Sequence, residues 1–334
     1  MKKNLSVVLV MAMLVSFGAA MSSEAAPTPS NPIVLKMAHD DFLFSTHHFS
    51  YEHFANEVKE RTDGAVIVEV YGAGLLGTAP ETIEGMMAGT VELWGGASAI
   101  IANFAPEFDN IQLPYLFRDS AHAHAVADGE VGQWLSDAML RRTGVRVLGY
   151  QENGIRNVFG NKRIEKLSDF RGVKQRVMLN DIHTATFEAL GAIPVPTSGA
   201  EIFPGLQQGT LDTAENTYDY LVHQKFYEIC RYYTDTEHFF VFVVMLMADS
   251  AYQRLTQEQQ QIVSETAIKW TNWQREEMRK ANANAKETLV SEYGMEFVPI
   301  IDRQELIDAV QVVYERFADR LDPEIQAKIE ALKH

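Results

Sequence analysis

The sequence predicts an α/β fold arranged as two lobes braced by one long helix. Three observations carry this reading. Strand and helix patterns alternate along most of the chain, a capped helical unit occurs twice with the same length, and one stretch near the C-terminus has no break for more than thirty residues.

Taken in order, the first element is an export signal. Lys2 and Lys3 precede Leu5 to Ala20, a run that is apolar apart from Ser6, Ser16 and Gly18. Ser23 and Ala25 are placed for a cut after Ala25, and Gly18 and Ala20 offer an earlier one. Residues 1–25 therefore read as a signal peptide, too short and too poorly flanked for a stable membrane anchor, and no cysteine near the cut provides for lipid attachment.

Beyond it, Ile33 to Ala38 reads as a strand. Tyr51, Phe54, Ala55 and Val58 follow at helical spacing, with Gly64 as the stop, and Val66 to Tyr71 is the next strand. Thr78-Ala-Pro-Glu81 then opens a helix that closes at Gly89-Thr90-Val91-Glu92. A second unit runs from the strand Val145 to Tyr150 to a helix marked by Ile182, Ala185, Thr186 and Ala189 and ended by Gly191. Ser198-Gly-Ala-Glu201 opens a helix that closes at Gly209-Thr210-Leu211-Asp212, again with the glycine eleven positions after the capping hydroxyl. In both, the hydroxyl accepts from the first turn while the glutamate three residues on reaches back. This echo supports two lobes of related design.

Leu211 to Glu215 reads as a strand, and Phe239 to Ala248 as a buried one of ten residues, too short to span a bilayer. Thr256 to Val290 contains no proline or glycine. At about 1.5 Å per residue it exceeds ~45 Å, more than one lobe is wide. The tail from Arg303 to Leu332 reads as two helices separated near Asp322-Pro323.

Composition narrows function. The formal charge is −16, and loss of Lys2, Lys3 and Glu24 with the signal makes the mature chain one unit more negative. Such a surface repels nucleic acid and anionic lipid. Cys230 is the only cysteine, so no internal disulfide forms and a packed core must supply stability.

Gly72-Ala-Gly74-Leu-Leu-Gly77 fits a dinucleotide fingerprint, but Thr78 as the cap and Pro80 in the first turn leave all three glycines outside the helix, and Glu92 is expected inside its short strand rather than at its end. His47, His48 and His53 lack a matching carboxylate and read as solvated or partly packed. Cys230 reads as a core residue. No nucleophile–base pair, P-loop or zinc motif occurs. Arg156 follows Asn153-Gly154 just after a strand, Arg176 precedes the helix starting near Asn180, and Asn216 lies just past a strand, at the carboxyl end where open α/β sheets bind ligands. Singly, each of these reads as an ordinary surface group.

Together they carry a resemblance. Asn110-Ile-Gln-Leu-Pro-Tyr-Leu-Phe-Arg-Asp119, Glu152-Asn-Gly-Ile-Arg156, Leu167-Ser-Asp-Phe-Arg-Gly-Val-Lys-Gln-Arg-Val177 and Ala189-Leu-Gly-Ala-Ile-Pro-Val-Pro196 stand in order. Leu206-Gln-Gln-Gly-Thr-Leu-Asp212, Glu215-Asn216, Phe226-Tyr-Glu-Ile and Thr236-Glu-His238 follow. In order and spacing these resemble the DctP-type solute receptors of tripartite ATP-independent periplasmic (TRAP) transporters.

The resemblance implies a two-lobed periplasmic binding protein of the Venus-flytrap kind. Lobe I would comprise residues 26–153 and about 240–280, and lobe II residues 154–239 and about 281–334. It implies no catalysis and no cofactor, and no residue is assigned to a metal. An organic acid would be held in the periplasm and handed to a permease of one small and one large membrane subunit. By position Arg176 would be the principal carboxylate clamp, Arg156 its support and Asn216 the polar partner, since a guanidinium offers two parallel donors that match a carboxylate. His39, Trp94, Asn153, Tyr218 and His238 would lie near the ligand's far ends.

The chain departs from relatives at Thr217, where many have proline, and at Met178-Leu179-Asn180-Asp181. Val177-Met178 and the stretch Tyr232 to His238 look closest to receptors for sugar acids such as uronates. The alternatives are another hydroxy or aromatic carboxylate, a sensor or ATP-driven importer in place of the permease, or a periplasmic nucleotide-dependent oxidoreductase using the glycine loop.

Overall fold

A computed structural model of the chain describes residues 26–333; residues 1–25, which read as an export signal, lie outside the described residues. The first half opens as the alternation requires. Strand β1 (Ile33–His39) runs parallel to β2 (Val66–Tyr71) and β3 (Leu93–Ala97), joined by helices α1 (Thr46–Arg61) and α2 (Ala79–Ala88). A matching parallel set forms from β5 (Lys174–Val177), β6 (Ile193–Pro196) and β7 (Thr213–Asn216).

Two long antiparallel strands, β4 (Val145–Gly160) and β8 (Tyr232–Ala248), join the sets, and a ninth, β9 (Glu296–Val298), pairs with β8. The sheet order is β2-β1-β3-β8-β4-β7-β5-β6. Near one end β8 pairs with β3 through residues 243–247; near the other β4 pairs with β7 through 157–160. Each long strand therefore belongs to both halves.

Here the structure corrects the sequence reading. Asn153-Gly154 looks like a turn that ends a strand, but Gly154, at φ +107°, is absorbed into a bulge where the β4–β8 register shifts between Glu152 and Gly154. Arg156 consequently lies within a strand, not after one. Asn216 is the last residue of β7 rather than one beyond it.

The internal echo is present in three dimensions. Backbone N–H groups of Thr78 and Ser198 donate to Glu81 and Glu201 at 2.9 and 3.0 Å. Gly89 and Gly209 close the two units in the left-handed region, at φ 77° and 72°. The second unit starts with a 3₁₀ turn (Gly199–Glu201) before its helix Ile202–Gln208. Each unit leads into a strand parallel to the one that opened its set, β3 beside β1 and β7 beside β5.

The long helix is Gln257–Ser291, capped by Thr256 with Gln259 in a reciprocal capping box. Its 35 residues reach about 52 Å. It packs on α1, on β4 and on the helix Tyr218–His223, and so touches elements of both halves. The tail holds three α-helices, Arg303–Ala309, Gln311–Arg316 and Pro323–Ala331, where two were expected. The extra break falls at Val310, without glycine or proline, and leaves Val310, Val313 and Phe317 all buried. Cys230 is buried in a smaller apolar cluster with Phe159, Phe226 and Tyr233, just ahead of β8. Burial pushes its thiol up to about 12, so it is a core residue without thiolate character.

Candidate functional site

The site is assembled where three strands meet. β5 delivers Arg176 near its end, β7 ends in Glu215-Asn216, and β4 brings Arg156 alongside β7. Period-two alternation puts Thr213 and Glu215 on one face of β7, and Thr213 there donates to Gln175 at 2.7 Å.

Glu215 is the centre. It is fully buried, with Arg156 and Arg176 at 2% and 5% exposure beside it. Arg156 Nε donates to its carboxylate, Nη2 to the same carboxylate at 3.0 Å and to the Glu215 carbonyl at 2.7 Å, and Nη1 to Asn216 Oδ1 at 2.8 Å. Arg176 Nη1 donates to Glu215 at 3.2 Å, while its Nε and Nη2 donate to the Thr197 carbonyl at 3.1 and 2.8 Å. Burial pushes the Glu215 carboxyl up, but Arg156, the nearby His238 and Arg176 outweigh it and hold the group well below the usual carboxylate range. Burial pulls the Arg176 guanidinium down, and Glu215 opposes that pull.

The charges do not balance. Two guanidinium groups share one carboxylate, so a net positive charge is buried at the strand ends. A guanidinium has five N–H donors. Among the described residues Arg176 uses three of them, which leaves two for a ligand.

Two imidazoles complete this wall. His238 bonds Thr236 Oγ1 at 2.8 Å through Nδ1 and sets Nε2 3.8 Å from Glu215. His183, in the helix Asp181–Ala189, stacks on Phe239 with centroids 3.9 Å apart. Among the described residues neither ring nitrogen of His183 has a partner, although the side chain is buried. Burial lowers its pKa to about 3 against the pull of Glu215, with Arg156, His238 and Arg176 adding to the fall, so it is neutral.

The facing wall is the turn after β1. His39 Nε2 meets His48 Nδ1 at 3.0 Å, Asp41 meets His47 Nδ1 at 2.7 Å, and His47 Nε2 meets the Glu152 carbonyl at 3.0 Å. His47 and His48 are thus buried structural groups rather than solvated ones; His53 is exposed. Among the described residues no group of three or more His, Cys, Asp or Glu side chains is arranged to hold a metal ion. The glycine loop serves this turn: Ala73 N–H donates to Asp41 and Gly74 N–H to His39, each at 3.0 Å. Its three glycines all precede α2, as expected, but Glu92 stands just before β3, not inside it, with its carboxylate accepting from Lys36 N–H at 2.8 Å.

Of the residues singled out in the sequence, Arg156, Arg176, Asn216 and His238 come together. His39 and Trp94 belong to the facing wall, where both are buried. Asn153 sits half-buried in the β4 bulge. Tyr218 turns away: its hydroxyl donates to Asp235 at 2.6 Å, its ring stacks on Tyr233, and Lys286 lies over it. Glu215 and His183 were missed as site residues. Strand parity on β7 could have found Glu215; nothing local marks His183.

Arg176 thus presents two cationic N–H donors, at the end of β5 beside the end of β7, that no described residue takes up. The chain belongs to the bacterial extracellular solute-binding proteins, family 7 (DctP), whose pattern matches residues 43–320. This is a family of transport receptors, not enzymes. A solute-binding protein of Verminephrobacter eiseniae is 32% identical over 265 residues, 79% of this chain and 78% of its own. The 2,3-diketo-L-gulonate-binding periplasmic protein YiaO of Escherichia coli is 29% identical over 280 residues, covering 83% and 84%. Among solved structures, a TRAP periplasmic solute binding protein of Polaromonas sp. JS666 bound to D-erythronate shares 30% identity at TM-score 0.86, over 90% of this chain and 99% of that one. One from Pseudomonas putida F1 with bound D-glucuronate shares 25% at TM-score 0.87, over 90% and 98%. No helix among the described residues is long and apolar enough to cross a membrane.

Proposed function

We propose that this protein is the periplasmic receptor of a TRAP transporter, that it captures a sugar acid such as a uronate, and that it passes it to a permease of small and large membrane subunits. The observation that carries the reading is the charge surplus at Glu215, with two Arg176 donors left open. A bidentate carboxylate would take those donors and neutralise the surplus, each charge-assisted bond adding about 1.5–3 kcal/mol. Arg156 is spent mainly on Glu215 and Asn216, which fits a supporting role. The ligands of the YiaO, Polaromonas and Pseudomonas relatives, all hydroxylated acids by name, support the same class.

In this reading lobe I is residues 26–153 with about 240–280, and lobe II residues 154–239 with about 281–334. The β4 bulge at 152–154 and the facing point on β8 lie at that boundary. Closure about these strands would bring the Asp40–Phe42 turn against the arginine wall. A thermal-shift screen of the mature protein against organic acids and neutral sugars tests the class. Ligand at a hundredfold excess over its dissociation constant adds about 2.7 kcal/mol of stability. Carboxylates alone should shift the melting point; a shift by neutral sugars alone overturns the reading.

A further inference from the structure

Opposite the arginines the chain leaves β1 at His39 and passes through Asp40, Asp41 and Phe42. Phe42 stacks on His223 with centroids 4.7 Å apart and lies 6.4 Å from Tyr220. Both belong to the helix Tyr218–His223, which starts two residues after Asn216, the partner of Arg156, so this turn lies against the helix that leaves the β7 end beside the arginines. Asp41 is already occupied, by His47 and by the Phe42 N–H at 2.9 Å.

Asp40 is different. Its side chain is exposed, and Trp94 stands close beside it. Among the described residues no cationic side chain pairs with it. Tyr220 lies within the field of both walls: besides burial, Arg176 and Arg156 act on its hydroxyl in one direction, Asp41 and Asp40 in the other.

We infer that the cleft is a two-pole site, cationic at Arg156 and Arg176 and anionic at Asp40, that selects acids with one carboxylate and a hydroxylated far end and rejects acids with a carboxylate at both ends. This rests on the arginine clamp proposed above. A ligand hydroxyl can donate to Asp40. A second carboxylate would instead face a like charge in a site that closure shields from water, and that repulsion is what excludes it.

The test is calorimetric titration of the mature protein with matched acids of equal chain length: glucuronate and glucarate, galacturonate and galactarate, erythronate and tartrate. Wild type should bind the best single acid at least fiftyfold tighter than its diacid. Asp40→Asn, and Asp40→Ser should the first variant fold poorly, should shrink that ratio at least tenfold. A diacid bound as tightly as its partner, or a ratio unchanged in the folded variant, overturns the inference. If no acid binds wild type, or Arg176→Ala binds as wild type does, the clamp itself fails and the two-pole site falls with it.

Discussion

The side-chain amide of Gln274 bonds both backbone groups of Glu152, accepting from its N–H and donating to its C=O, each at 2.9 Å. A neighbouring strand would ordinarily fill that place. His47 from α1 meets the same carbonyl, so two helices hold β4 immediately before its bulge. This is also where the sheet passes from the partners of one half to those of the other.

Gln274→Ala removes both bonds at a buried site. It should cost about 1–3 kcal/mol and abolish slow hydrogen exchange at the Glu152 amide. Urea unfolding with exchange measured by NMR checks both; unchanged stability and protection would show that Gln274 does not hold the strand.

Glu215→Gln leaves two buried guanidinium groups without a counter-charge. The ligand-free protein should lose roughly 3–5 kcal/mol. A bound carboxylate should then restore more stability than it adds to wild type, because it supplies the missing charge. Melting points with and without the best acid from the screen decide this; an equal ligand shift in both proteins contradicts it.

Acid should destabilise the fold before most carboxylates titrate. His183 and His39 are held by burial to about 3 and 4, and burial lowers His238 also. An unfolded chain binds these protons from near pH 6.5 downward while the native one does not, so stability present above that pH is lost as pH falls. Asp109, raised by burial, His223, raised by Asp219, and the exposed Asp40, raised to about 6 by its protein surroundings and Asp41, push the other way, but the larger falls at His183 and His39 outweigh them. The net loss from pH 7.5 to 4.5 should be on the order of 3 kcal/mol, with a shallower slope in His183→Phe. Denaturant unfolding across that range tests the sign; a flat profile contradicts the burial account.

Much of the fold was legible because its signals are local. Thr78 and Glu81, Ser198 and Glu201, and Thr256 with its break-free run specify helix starts through neighbouring residues, and each appears where the sequence put it. The continuity of β4 was not legible, because Gly154 allows a turn and a bulge equally and only pairing with β8 selects the bulge. The site divides the same way. Arg156, Arg176 and Asn216 stand out through their motifs. Glu215 gains its importance from two strands that arrive 59 and 39 positions away in sequence. Tyr218 stands only two positions after Asn216 yet turns into another core, since helix geometry after Thr217 rotates it away.

The most direct measurement is calorimetric titration of Arg176→Ala with the tightest acid found for wild type. Glu215 stays paired with Arg156 in that variant, so the fold should persist by circular dichroism. Binding should fall below detection, while Arg156→Ala should cost stability as well as affinity. A folded Arg176→Ala protein that still binds within threefold of wild type would contradict the arginine clamp.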